Sequence, residues 1–189
     1  MNDFSQNQAL AVQLARQVLD QNPIYIDTET TGLDANAEIV EIALLDHDGT
    51  LLFQSFVRPQ LPIPFDAMQI HHITNEMVQS APTWPAIWPT VRSFILGRII
   101  ATYNADFDHR MMKQSFTRYK LPWKENLKMF CIMKLYAQFR GEWDLRRNAY
   151  RYFSLDYAGK ASRLILPNSH RAVDDSLLAR SLLHYIANQ

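Results

Sequence analysis

Two carboxylates two residues apart, Asp27 and Glu29, end the apolar run Ile24-Tyr25-Ile26 and stand before Thr30-Thr31-Gly32-Leu33. Side chains alternate along a strand, so a strand here sends Asp27 and Glu29 out on one face. Two ionised carboxylates held side by side without a partner are costly. A divalent cation is the economical partner, because hard ions such as Mg²⁺ take carboxylate oxygens and fill their remaining positions with water or phosphate. An acidic turn at the end of a surface strand is the other reading that this stretch alone leaves open.

Two stretches further along carry groups suited to the same chemistry: Asn104-Ala105-Asp106-Phe107-Asp108 and His170-Arg171-Ala172-Val173-Asp174-Asp175. In this order and spacing, the three resemble the motifs of the DnaQ-like, DEDDh-type 3′→5′ exonucleases. That superfamily includes the proofreading subunit of bacterial DNA polymerase III. Asp-Thr-Glu-Thr-Thr-Gly corresponds to the first motif, Asn-Ala-x-Phe-Asp to the second, and His followed five residues later by Asp to the third. The resemblance runs from about Ile24 to Ile186 and selects Asp108 over Asp106 and Asp175 over Asp174. It departs from the family pattern at Tyr103, where many members have His, and at His72, where the usual His-Gly-Ile-Thr segment has its glycine.

The resemblance implies an α/β, ribonuclease H-like fold with a central mixed five-stranded sheet flanked by helices, antiparallel in its first three strands and then parallel. It also implies two divalent ions, Mg²⁺ or Mn²⁺, held by Asp27, Glu29, Asp108 and Asp175. His170 completes the catalytic set by taking the proton of the attacking water, a task suited to a side chain that titrates near neutrality. Thr30, Leu33, His71 and Asn104 are the residues it offers for binding the terminal nucleotide. The implied reaction releases 5′-mononucleotides from the 3′ end of single-stranded nucleic acid, DNA favoured over RNA. The alternatives are an exoribonuclease acting on short RNA or RNA tails, and a nuclease-like subunit working mainly through a polymerase or repair complex.

The elements must place these groups. Residues five apart on a helix lie roughly 140° apart, so His170 and Asp175 cannot both face one site from mid-helix. The conflict disappears if His170 sits on the loop before the last helix and Asp175 in its first turns, with Pro167-Asn168-Ser169 supplying the break and a cap. Asp174 competes, since positions i and i+4 share a helix face.

Earlier in the chain, apolar positions at Leu10, Leu14 and Val18 predict a helix over about 7–20, ended by Asn22-Pro23. Strands follow from Ile24, over Glu38 to Leu45, and from Leu51 to Val57, the last two joined at Asp48-Gly49. Pro59, Pro62 and Pro64 hold the next stretch extended, and the pair His71-His72 is either a solvated loop or part of the substrate site. A helix over about 83–96, a buried strand over 98–103 and a helix over 106–119 come next. Then come a short strand at Lys128 to Cys131, a helix through Tyr136, another over Leu155 to Ala161, and the last over 171–186. Segment 141–153 interleaves Arg with aromatic residues, a mixture that can hold single-stranded nucleic acid or form a surface loop whose rings pack inward. Packing is the favoured reading.

A length of 189 residues, 48% apolar and 20% charged, suits one compact domain with a full core. The expected division is a helical extension over residues 1–22 and an exonuclease domain over 23–189. Lys+Arg and Asp+Glu balance at 19 each, so nucleic acid must be met by a local patch and not by a global basic field. Cys131 alone excludes an intrachain disulfide. No apolar run reaches the roughly 18 residues of a membrane span, and the polar amino terminus lacks a signal-peptide plan. A cytoplasmic protein with no membrane partner is the expectation.

Overall fold

The computed structural model describes residues 2–166 and 169–189. The chain opens with α1 (Asn2–Leu19), which buries Ala11, Val12, Ala15 and Val18 at helical spacing. Three strands follow as an antiparallel meander: β1 (Ile24–Thr30), β2 (Ile39–Leu45) and β3 (Leu51–Phe56). The β2–β3 turn works as its Asp-Gly pair predicts. Gly49 takes a positive φ of 94°, and the Thr50 N–H donates to Asp48 Oδ1 at 2.8 Å.

Residues 57–64, with Pro59, Pro62 and Pro64, form neither helix nor strand, and two short helices follow them, α2 (Phe65–His71) and α3 (Asn75–Val78). Pro64 keeps an extended conformation, φ −62° and ψ 150°, as the N-cap of α2. After α4 (Trp84–Ile95) come β4 (Ile99–Thr102), α5 (Ala105–Arg118) and β5 (Lys128–Cys131). The helix α6 (Ile132–Arg140) runs one turn past Tyr136 and stops at Gly141, whose φ of 66° closes it. A small hairpin of β6 (Trp143–Asp144) and β7 (Ala149–Tyr150) replaces the expected loop. The chain ends with α7 (Leu155–Ala161) and α8 (Ala172–Ala187).

The main sheet has the order β3-β2-β1-β4-β5, with β4 parallel to both β1 and β5. It is the mixed five-stranded ribonuclease H-like sheet. Its two faces carry separate cores. Tyr25, Leu45 and Ala101 pack with α1, α6, α7 and α8 on one face, and Ile24, Ile26, Ile42, Leu44 and Ile100 pack with α4 and α5 on the other. The amino-terminal helix therefore shares the core of α8. Among the described residues no helix is long and apolar enough to cross a membrane.

Candidate active site

Strand alternation places Asp27 and Glu29 on the α8 face of β1, and antiparallel register sets Glu29 directly opposite Glu41 and Asp27 opposite the small Ala43. From above, α8 brings Asp175. The carboxylates of Asp27, Glu29 and Asp175 offer oxygens that all lie within 4.8 Å of one another. Asp175 is buried, and its Oδ1 has no hydrogen-bond partner.

Asp108 approaches from the opposite face, where its charge acts on Asp27 and Glu29 although its oxygens are not among the three gathered within 4.8 Å. It sits in the first turn of α5, 3% exposed, with one oxygen accepting from the Thr28 hydroxyl at 2.9 Å and the other from the Thr102 hydroxyl. Thr28 points away from Asp27 and Glu29 because it occupies the alternate position of β1. The two threonines thus hold the fourth carboxylate against the back of the strand that carries the first two.

This much negative charge in one place shows in the acidities. Burial, then the charges of Asp108, Glu29 and Asp175, push Asp27 well above the usual carboxylate range. Burial and then Asp175 push Glu29 up to about 8. Asp175 rises to about 7 through burial and then Asp174, although the backbone N–H groups of Ser169 and His170 face its carboxyl and counter the rise. Asp108 rises to about 6 through burial, opposed by the hydroxyls of Thr102 and Thr28. A site that keeps protons on carboxylates at neutral pH is one that a divalent cation would discharge, and the unpartnered Asp175 oxygen is a free ligand for it. The residues present fit such an ion.

A fifth acid, Glu41, went unnoticed in the sequence. It is fully buried, and Arg171 grips it with two bonds, Nη2 to Oε1 at 2.7 Å and Nε to Oε2 at 3.0 Å. The Ala172 N–H and the Gln54 amide donate to it as well. Burial pushes its pKa up, but the hydrogen bonds of Arg171, Ala172 and Gln54 outweigh that and hold it below the usual range. Glu41 therefore stays ionised and ties the first residues of α8 to β2. The available signal was an acid inside Ile39-Val40-Glu41-Ile42, a run that reads as buried on both faces.

His170 lies outside α8, solvent-exposed, in a left-handed conformation with φ 52°. Arg171 is the N-cap residue of α8 and makes no side-chain cap bond. Of the cap expected at Pro167-Asn168-Ser169, the first two residues lie outside the described residues. The Ser169 hydroxyl donates to the Asp174 carboxylate instead of accepting from the helix. Asp174 is thereby turned away from the cluster that Asp175 joins.

Beside Glu29 opens a cavity of about 520 Å³ lined by Thr30, Leu33, Ile70, His71 and Phe107 among others. Leu33 is 75% exposed at its mouth. His71 is buried, not solvated. Its Nδ1 accepts from the Ile73 N–H at 3.0 Å, and its Nε2 is buried near the Thr30 carbonyl but outside hydrogen-bond geometry. Burial lowers its pKa, so it is neutral at pH 7. Asn104 stands apart: it is exposed at the N-cap of α5 and does not line this cavity.

Carboxylates gathered over the middle of a sheet of this order and sense place the molecule in the ribonuclease H-like class of nucleases. Within that class, the family model for the exonuclease family RNase_T matches residues 24–183, and the chain belongs to this family of DnaQ-like 3′→5′ exonucleases. It is 38% identical over 181 residues to an uncharacterized exonuclease, CP81, of Escherichia phage 186, with 93% of each chain covered. It is 30% identical over 160 residues to the DNA polymerase III subunit epsilon of Treponema pallidum (strain Nichols), covering 82% of this chain and 72% of that protein. The solved structure of exonuclease X in complex with 5′ overhanging duplex DNA has a TM-score of 0.66 and 31% identity, covering 87% of this chain and 90% of that one.

Proposed function

We propose that this exonuclease degrades single-stranded DNA from the 3′ end to 5′-mononucleotides, using two divalent ions, Mg²⁺ or Mn²⁺, held by Asp27, Glu29, Asp108 and Asp175. The observation that carries the reading is the convergence of Asp27, Glu29 and Asp175, with the Asp108 charge acting on Asp27, while the nearby cation, Arg171, is engaged by Glu41. When bound, the ions lower the cost of negative charge on the attacking and departing oxygens of the phosphodiester.

The chain's residues do the rest. Asp27, close to all the other acids, is central to the metal site. His170, exposed on its turn ahead of α8, takes the proton of the attacking water and passes it to solvent. Leu33, Ile70 and Phe107 give the cavity beside Glu29 apolar walls for a terminal base and sugar, with neutral His71 and Thr30 behind them. Asn104, outside that cavity, is placed to meet the strand upstream of the cleaved bond. The DNA-bound relative favours DNA over RNA. The epsilon-subunit relative suggests a polymerase or repair complex as a partner, but a free-standing enzyme is the reading adopted here. A cytoplasmic setting suits the lone thiol of Cys131.

The test is a time course on end-labelled single-stranded DNA and RNA of matched sequence, with Mg²⁺, Mn²⁺ or EDTA, beside an Asp27→Ala control. Stepwise metal-dependent shortening of DNA from its 3′ end, lost in EDTA and in Asp27→Ala, is expected. Faster loss of the RNA would replace the substrate; no shortening of either by folded, metal-bound protein would overturn the activity.

A further inference from the structure

The interleaved Arg and aromatic residues of segment 141–153 do not simply pack inward. Phe153 does: it is buried, stacked on Tyr157 at 5.0 Å and 14°, with the guanidiniums of Arg140 and Arg151 each 5.4 Å from its ring centre. Tyr150 is half-buried, and the others are displayed. Trp143 is 49% exposed, Leu145 87% and Tyr152 44%. Trp143 pairs across the hairpin with Tyr150, edge to face at 5.1 Å and 89°, which fixes both rings.

The hairpin tip is equally well set. Asp144 Oδ1 accepts from the N–H groups of Arg146 and Arg147 at 2.9 and 3.3 Å, and Asn148 takes a φ of 50° to turn the chain back. The tip therefore presents two arginine side chains from a defined turn. The Arg147 side chain is 74% exposed, and Arg146 is exposed too. From Arg140 to Arg163 the cations Arg140, Arg146, Arg147, Arg151, Lys160 and Arg163 face only three carboxylates, Glu142, Asp144 and Asp156, in a chain of net charge zero.

This surface adjoins the acidic site. The Tyr103 hydroxyl donates to the Phe153 carbonyl at 2.8 Å, and Tyr103 directly precedes the Asn104–Asp108 stretch. Lys134 donates to Asp106 at 2.6 Å, in the same first turn of α5 as Asp108, and Tyr152 lies close enough to act on the Lys134 charge. Phe107, between Asp106 and Asp108, lines the terminal-nucleotide cavity. Phe107 at the cavity, the Asp106–Lys134 pair and Tyr152 before the buried Phe153 are thus the links between the two regions.

We propose that the β6–β7 hairpin, with Tyr152, is a platform for the upstream part of a single strand whose 3′ end lies at Asp27. Exposed rings take unpaired bases by stacking, and Arg146 and Arg147 take the phosphates between them. A duplex keeps its base faces stacked inside itself and cannot use the rings. The inference rests on the exonuclease reading for which end of the strand sits at the acids.

The experiment is equilibrium binding of fluorescein-labelled (dT)20 and (dT)4 in EDTA, so that it reads binding apart from hydrolysis. It compares the wild type with Trp143→Ala and with the double variant Arg146→Ala/Arg147→Ala. The wild type is expected to hold (dT)20 more tightly than (dT)4. Each variant should weaken (dT)20 by about tenfold and leave (dT)4 unchanged. The double variant should also flatten the log–log salt dependence by about 1.4, at roughly 0.7 per phosphate contact on a single strand. Hydrolysis of the p-nitrophenyl ester of thymidine 5′-phosphate with Mn²⁺ should be unaltered in both. The double variant changes only exposed side chains, so it reports even if Trp143→Ala folds poorly. Unchanged (dT)20 affinity and salt slope in the double variant overturn the proposal and leave a protein partner as the use of the hairpin. Hairpin-dependent binding by a wild type that hydrolyses nothing would uphold the platform and remove the activity proposed above.

Discussion

At the scale of single residues, the site depends on groups that hold the acids as much as on the acids themselves. Asp108 keeps its place through Thr28 and Thr102. Thr102→Val removes one of those bonds inside a buried cluster, and such supporting contacts typically carry 10–100-fold in metal affinity or activity. Isothermal titration with Mn²⁺ is expected to show weakening of about that size, with the fold intact. Glu41 and Arg171 act similarly on α8. Glu41→Ala leaves Arg171 without its partner. Because Arg171 is about one-third exposed, the cost should be about 2 kcal/mol, below the ~3–5 of a fully buried pair. Urea unfolding measures that loss, and the exonuclease rate should fall further than stability alone explains, since His170 and Asp175 lose their anchor. Equal unfolding midpoints for Glu41→Ala and wild type would discard the clamp.

At the scale of elements, one short piece of backbone is held in a conformation its sequence does not favour. His72 closes α2 with φ 59°, a left-handed cap that glycine adopts without cost and histidine does not. The glycine of the His-Gly-Ile-Thr segment that this stretch resembles would adopt that conformation freely. His72→Gly should stabilise the protein by about 1 kcal/mol, read as an increase in the denaturation midpoint, because it relieves the left-handed backbone and the imidazole it removes is exposed. The link from the end of β4 to the segment after the hairpin depends instead on a single hydrogen bond, from the Tyr103 hydroxyl to the Phe153 carbonyl. Tyr103→Phe strands the buried Phe153 carbonyl and should cost about 1 kcal/mol. Amide exchange across 149–153 is expected to speed up in that variant while β1 and β2 stay protected.

At the scale of the molecule, the crowded acids set a dependence on pH. Glu29, Asp175 and Asp108 titrate near 8, 7 and 6 when folded, against ordinary values of 4.5, 3.8 and 3.8. Their folded pKa values are raised, so the native state binds more protons than the unfolded chain between those limits, and metal-free stability falls as pH rises. The loss begins near pH 4 and is complete near pH 8. A divalent ion competes with those protons, so its stabilisation grows over the same window. Thermal midpoints in EDTA should therefore fall from pH 5 to 8, while the increment from added Mn²⁺ rises. A flat midpoint in EDTA would mean that the acids are not gathered as described.

What the sequence determined by itself was local and repetitive. Alternation in Ile24–Thr30 put Asp27 and Glu29 on one face, Asp48-Gly49 made the turn, and helical geometry required His170 to lie outside α8. Those features depend on a few neighbouring residues and on fixed periods of two and 3.6. The motifs added the family. What only the tertiary structure decided was how distant groups meet across the sheet. Antiparallel register put Glu41 opposite Glu29, and Arg171 arrived from 130 residues away to neutralise it. Asp108 was delivered to the back of β1, where two threonines of no evident role were waiting for it. The six residues from Pro59 to Pro64 gave no hint that His71 would be buried against the Thr30 backbone. Long-range register and packing depend on every element at once, and so no single stretch contained them.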